Sequence, residues 1–349
     1  MGMHAYLDAA ATTPVRKEVL KAMLPFFSEQ FGNAGSNHAL GDGAKNAIES
    51  ARESIAKKLR ASADQIVFTS GGTEANNLVL HQVASVALSS IEHNSLLLPA
   101  LKKDCIQIPV DPDGVVRDFS EVRKVDLVSV MSVNNETGVL QDVKDWCEVA
   151  HEEAALFHSD HVQGFCKINF DVKKIPIDFL SLSAHKIHGP KGVGALYVKD
   201  PKKIIPLIDG SQQGRAGTLP VAEIVGFAKA VQVYTPPKAN VIKALNKIIS
   251  LGELNSTAKR YEALANVYFK GVFATDVIQH LSHRQVYVSS SSACSARAKK
   301  YSHVLEAMGV PEQKMKSSVR LSVHSLTTLK EMKYAYEQME KVLKSLHAL

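Results

Sequence analysis

Several features that mark whole protein classes are scarce in this sequence. Only four cysteines occur in 349 residues (Cys105, Cys147, Cys166 and Cys294), with no CxxC pair and no metal-ligand spacing. A disulfide framework is therefore not expected, nor is a bound metal, and a reducing, cytosolic setting is the natural one. No apolar run approaches the ~18–20 residues needed to span a bilayer, so no membrane partner is expected. The chain opens without a basic segment followed by an apolar stretch, so no secretory signal is expected. Charge of one sign is also scarce. Lys and Arg number 41 against 35 Asp and Glu, leaving +6, which is too little to imply direct nucleic-acid binding without a patch. Repeats and low-complexity tracts are absent, which excludes coiled-coil and collagen-like chains.

What is present is ordinary globular composition, 45% hydrophobic and 22% charged, in a length that suits two domains or one large one. Short β-branched runs alternate with amphipathic stretches, the pattern of a largely parallel sheet covered by helices. Ala44, Ile48, Ala51, Ile55 and Leu59 recur at helical spacing. Strands are predicted at 65–69, 126–133, 156–159, 178–183 and 194–198. Leu329, Met332, Tyr336, Met339, Leu343 and Leu346 form the stripe of a C-terminal helix, and 289–292 is read as a loop. A soft boundary is placed at 225–240.

Three segments carry chemistry. Ser183-Ala184-His185-Lys186 closes an apolar strand and breaks into Gly189-Pro190. A lysine held there can form a Schiff base once desolvation and nearby cations free its amine. Thr69-Ser70-Gly71-Gly72-Thr73-Glu74 lies between a strand and a helical stretch, where small residues leave backbone N–H groups for a phosphate. It is not a Walker A loop, because no Gly-Lys-Ser/Thr follows. His158-Ser159-Asp160-His161-Val162-Gln163 ends a third strand. A carboxylate facing a pyridine nitrogen keeps it protonated and makes the ring an electron sink. Phosphate cup, ring partner and Schiff-base lysine together describe a site for pyridoxal 5'-phosphate.

The same residues resemble the NifS/IscS-like cysteine desulfurases of the class V aminotransferase group. The likeness runs through nearly the whole chain, in family order: Tyr6 to Pro14, Phe31-Gly32-Asn33, Thr69 to Asn77, Glu92-His93, Val133 to Val139, Asp160/Gln163 and Ser183 to Gly194. Gly217 to Val221, Ser292-Ala293-Cys294-Ser295 and Ser302 to Leu305 complete it. The resemblance implies an α/β protein of pyridoxal-phosphate fold type I. A large domain (15–230) would hold a mainly parallel seven-stranded sheet between helices. A smaller α+β domain (1–14 and 231–349) would carry the catalytic cysteine loop.

By the same resemblance Lys186 carries the cofactor and moves the substrate Cα proton, and His93 stacks on the ring and assists proton transfer. Asp160 pairs with the ring nitrogen and Gln163 with the phenolic oxygen. Gly72, Thr73, Ser183 and His185 hold the phosphate, and Thr218 reaches the phosphate of a second subunit, implying a homodimer. Asn135 and Arg320 bind the substrate carboxylate, and Cys294 attacks the sulfur of L-cysteine to form a persulfide while alanine leaves. A sulfur-acceptor protein, such as an iron–sulfur scaffold or thiolation enzyme, would then receive the sulfur. The alternatives are a selenocysteine lyase, another class V enzyme or a degenerate scaffold.

The sequence departs from the family pattern at Ala9, Ala34-Gly35 and the shortened stretch Asp209 to Ala216. His324-Ser325 stand where a Gly-Arg pair is common, so a second substrate-side cation is expected to be missing. Residues 295–349 hold ten Lys or Arg against five Glu, and Arg297, Lys299 and Lys300 follow Cys294 directly. This end is a candidate docking face for an acidic acceptor.

Overall fold

The computed structural model of the chain describes residues 3–122, 124–210, 214–290 and 301–348. Its largest sheet has seven strands: β1 (Ile66–Thr69), β2 (Ser85–Ser89), β3 (Asp104–Ile108), β4 (Leu127–Ser129), β5 (Leu156–Asp160), β6 (Phe179–Ser183) and β7 (Gly194–Val198). Their order is β1-β7-β6-β5-β4-β2-β3. The β2–β3, β2–β4, β4–β5 and β5–β6 pairs are parallel, and only β7 runs antiparallel to both neighbours. Strands β1, β4, β6 and β7 are buried along their full length, as expected for a sheet covered on both faces. β2 and β3 lie outside the strands predicted from sequence. β2 keeps only three apolar residues between its serines, β3 is interrupted by Cys and Gln, and pairing with neighbouring strands decides both.

Helices close the faces. α1 (Ala39–Leu59) buries Ala44, Ile48, Ala51, Ile55 and Leu59, the stripe read from spacing, and packs against α5 (Val221–Val233). α2 (Gly72–His81), α3 (Asn94–Ala100) and α4 (Val143–Glu152) follow β1, β2 and β4 respectively. Trp146 of α4 is fully buried and donates its indole N–H to Val116 O at 3.2 Å. Burial of such a ring contributes about 2–3 kcal/mol only when its polar edge is satisfied.

A second core joins Leu7 and Ala5 to α6 (Ala239–Ile249), α7 (Ala274–His283) and α8 (Leu329–His347) over β8 (Leu264–Tyr268) and β9 (Ser318–Ser322). Met332 and Met339 of the C-terminal stripe are buried there. Ser289–Ser290, expected as loop, forms a short strand on β9, with Ser289 opposite Arg320. No local pattern marks it, because the partner that supplies its hydrogen bonds is thirty residues away. Cys147 is buried, and Cys105 and Cys166 are partly so. Cys294, Ser291-Ser292 and the basic Arg297, Lys299 and Lys300 lie outside the described residues.

Candidate active site

Asp160 and Lys186 lie at the carboxyl ends of adjacent parallel strands, where an open α/β sheet gathers its ligands. Lys186 ends a single 3-10 turn directly after β6. Its Nζ donates to Ala10 O at 2.6 Å and Ala11 O at 2.7 Å. Thr13 secures this arrangement, giving its hydroxyl proton to His185 O and accepting from the His188 N–H, both at 2.8 Å. The N-terminal segment is thereby laced across the lysine loop, although some 175 residues separate them in sequence.

Asp160 ends β5 and is 6% exposed. Its Oδ1 accepts the Val162 N–H at 2.9 Å and its Oδ2 accepts from Asn76 Nδ2 at 2.8 Å. Gln163 is buried too, donating to Ala10 O at 2.8 Å and accepting from Lys167 Nζ at 2.7 Å. His93 precedes α3 and caps it. Burial lowers its basicity and the Lys186 charge adds to this, while the Asp160 carboxylate pulls the other way. His93, Asp160 and Lys186 thus share one electrostatic neighbourhood.

Gly72 opens α2 hard against the neighbouring strand ends. A Cβ there would come within 2.6 Å of Val162 Cγ2 and 3.9 Å of Ser183 Cβ. Glycine is required because the helix start packs directly against the Val162 side chain that follows β5. Gly72, Thr73 and Ser183 consequently form one small-residue mouth at a helix N-terminus, a donor set that suits a phosphate. Arg215 braces it through Glu74, Nε to Oε1 at 3.0 Å, and Glu74 Oε2 in turn accepts the Ser70 N–H at 2.8 Å. The imidazole of His185 faces the N-terminal segment, with Nδ1 3.1 Å from Thr12 Oγ1. Burial pushes it down to about 3, with Lys186 and Lys167 adding to the effect. Thr218 is exposed on the loop after Gly217.

Arg320 reaches the site from β9. Its side chain is 5% exposed, bonds Asp8 Oδ1 at 2.8 Å, and donates from NH1 to Asn135 O at 3.1 Å. Asn135 sits in a tight turn where Asn134 Oδ1 accepts the N–H groups of Glu136 and Thr137, both at 2.9 Å. Gly138, at φ +79, closes the turn where a Cβ would lie 2.7 Å from Leu264 O. Asn135 and Arg320 are therefore brought together from opposite cores. A buried guanidinium with one counter-ion and its Nε unpartnered among the described residues suits a second carboxylate.

Ser325 is held by a cation from the start of the chain. Arg16 places its guanidinium there, donating from NH2 to Ser325 Oγ at 3.0 Å and from NH1 to Val233 O at 3.0 Å. Ser325 Oγ in turn lies 3.0 Å from His188 Nε2, and His188 Nδ1 lies 2.9 Å from Pro14 O. Sequence pattern gave no role to Arg16, Asp8, Lys167, Asn76 or Ser95. Asp8 and Asn76 lie within the quoted motifs, and Lys167 is signalled by its i+4 spacing from Gln163. Lys167 and Lys186 line one small pocket of about 20 Å³, room for one water, with Gln163, Tyr234, Tyr261 and His188.

Both H-x-x-H pairs have structural partners. His158 spans three strands, with Nδ1 2.8 Å from Ser129 Oγ and Nε2 2.9 Å from Ser181 Oγ. His161 lies 2.7 Å from Ser132 Oγ through Nδ1, and burial pushes both rings down to about 3. Among the described residues no cluster of three or more His, Cys, Asp or Glu could hold a metal ion.

The family profile for aminotransferase class-V matches residues 5–334. The chain belongs to the class V aminotransferase family. Curated relatives in it include a cysteine desulfurase IscS of Dictyoglomus turgidum, 38% identical over 100% of this chain and 97% of the relative. Another, from Methanosarcina thermophila, is 36% identical over 98% and 92% of the two chains. Among solved structures, a NifS-like protein superimposes with TM-score 0.88 at 33% identity, covering 99% of this chain and 100% of that one. A structure titled SspA in complex with cysteine gives 0.83 at 36% identity, covering 93% and 100%.

Proposed function

We propose that this protein is a pyridoxal-phosphate-dependent cysteine desulfurase, which takes sulfur from L-cysteine and releases L-alanine. The observation that carries the reading is a convergence. Lys186, His93, Asp160 and Gln163 meet at one sheet edge beside a helix-mouth donor set, and Arg320 approaches them with Asn135. Family membership, with relatives named cysteine desulfurase, supports it.

The residues fit pyridoxal 5'-phosphate on their own chemistry. Gly72, Thr73 and Ser183 would hold the phosphate, Asp160 the ring nitrogen, Gln163 the phenolic oxygen and Lys186 the aldehyde carbon. When bound, the cofactor supplies an electron sink for charge developing at the substrate Cα. Lys186 accepts and returns the Cα proton through Nζ. Arg320 orients the substrate by its carboxylate, with Asp8 holding the guanidinium in place. Tight burial of Asp160 and Gln163 excludes water from the ring edge. Cys294 is the proposed nucleophile that takes the sulfur as a persulfide before an acceptor protein receives it for iron–sulfur cluster assembly or thiolation.

Assembly as a homodimer belongs to the same proposal. Leu20, Leu24, Phe27 and Phe31 are each at least half exposed, an apolar series that a monomer would leave in water. Thr218 would then serve the second subunit's phosphate. The division into a large domain (15–230) and a small one (1–14 with 231–349) is supported by the two cores, the second of which includes Ala5 and Leu7.

The test is incubation of the cofactor-loaded protein with L-cysteine and a reductant, measuring sulfide and alanine. Equal sulfide from wild type and Cys294→Ala would sink the persulfide step. A visible cofactor band that persists in Lys186→Ala would sink the cofactor assignment.

A further inference from the structure

Behind His93 lies a run of hydrogen bonds whose direction is fully determined, and its role in the reaction rests on the placement of His93 at the proposed reaction face. The Ser95 backbone N–H lies 3.2 Å from His93 Nδ1. A backbone N–H can only donate, so Nδ1 presents a lone pair to it. Ser95 Oγ lies 2.8 Å from the same nitrogen. The hydroxyl proton is available for Nδ1 because Ser95 Oγ already accepts from Asn76 Nδ2 at 2.8 Å. The Asn76 amide cannot be turned round, since the same Nδ2 faces Asp160 Oδ2 at 2.8 Å and a carboxylate only accepts. Its two hydrogens are therefore both assigned, one to Asp160 and one to Ser95. Asn76 and Ser95 are buried, which keeps competing water away. An imidazole with two donors on Nδ1 and no second charge must carry its proton on Nε2.

We propose that Asn76 and Ser95 are positioning residues that lock His93 in the Nε2–H tautomer, so that it meets the substrate as a fixed hydrogen-bond donor and not as a base. The Asp160 carboxylate sets the direction of the whole relay. The group that holds the cofactor ring nitrogen therefore also dictates which His93 nitrogen carries the proton. Burial, which lowers the basicity of His93, keeps it neutral in this state.

Nitrogen NMR of the full-length, cofactor-free protein labelled with 15N-histidine reads the tautomer directly, with His93→Gln identifying the signal. Wild type should show a bare Nδ1 and a protonated Nε2. Ser95→Ala, which removes the closer donor at 2.8 Å and leaves only the backbone N–H at 3.2 Å, should bring in the Nδ1–H form. Asn76→Asp should do the same with Ser95 intact, because a carboxylate at 76 would take the serine proton. In the loaded enzyme each change should lower kcat about fivefold, the effect of one hydrogen bond, with KM for L-cysteine unchanged. Ser95→Thr should restore both readouts. A protonated Nδ1 in wild type overturns the proposal. So does a wild-type tautomer in both Ser95→Ala and Asn76→Asp. Loss of desulfurase activity alongside the expected wild-type tautomer would count against the functional reading and leave this one standing.

Discussion

Glu92→Gln should stabilise the protein by an amount that grows with pH. Glu92 is fully buried beside His93. Its Oε1 accepts from Ser89 Oγ and from the Met131 N–H, both at 2.6 Å, while Oε2 has no hydrogen-bond partner among the described residues. Burial pushes the carboxyl up from 4.5 to about 8, and the Asp160 charge adds to this against the bond from Ser89. Between those values the unfolded chain has released the proton and the folded chain still holds it. Wild-type stability therefore falls as pH rises through that window, by about 1.4 kcal/mol per unit. Glutamine has the shape of the neutral acid and does not titrate. Its advantage should be smallest below pH 4.5 and should grow by about 3 kcal/mol from pH 5 to pH 7. With an unfolding entropy of about 2.1 cal/mol/K per residue, that is roughly 4 °C in Tm for a chain of this length. Any fixed cost of burying the new N–H₂ is the same at every pH and drops out of the difference. Thermal melts of both cofactor-free proteins at pH 5, 6, 7 and 8 measure it. A Tm difference that stays constant across the series would refute the neutral, buried acid.

Arg320→Lys should raise KM for L-cysteine about 30-fold, the loss of a bidentate charge-assisted contact of about 2 kcal/mol; steady-state kinetics with an unchanged KM would remove Arg320 from the substrate site. Lys167 should be neutral above pH 7, because burial and then the Lys186 charge push it down to about 7 from 10.5. A base lowered in the folded state penalises folding below that value, and the penalty fades as pH rises towards 10.5. Lys167→Met should accordingly gain most over wild type near pH 6 and least near pH 10, as read by urea titrations. Gly72→Ala should weaken pyridoxal-phosphate binding at least tenfold, because its Cβ meets Val162 at 2.6 Å. Gly43→Ala, a helical position with nothing within 4 Å of the new Cβ, should instead stabilise by about 1 kcal/mol. Equilibrium cofactor titration and melting distinguish the two.

Local sequence was enough for the class of fold and for the lysine proposed to carry the cofactor. Period and punctuation are local properties, so the α1 stripe, the β6 strand with its Ser183-to-Lys186 end and the glycine mouth of α2 were legible in the order of residues. The Asn134-to-Gly138 turn was equally legible as a motif. Its purpose, holding Asn135 against Arg320, was not, since Arg320 arrives from a different core.

Long-range packing settled the remainder. Asp8 to Thr13 close over Lys186, Arg16 reaches across to bond Ser325, and Asn76 passes the direction of Asp160 through Ser95 to His93. These contacts join residues far apart in the chain, and hydrogen-bond direction depends on which donor faces which acceptor in space. Residue identity and order set which groups could do the chemistry. Folding determined which nitrogen, oxygen or guanidinium each of them turns toward the site, because only packing brings their partners within reach.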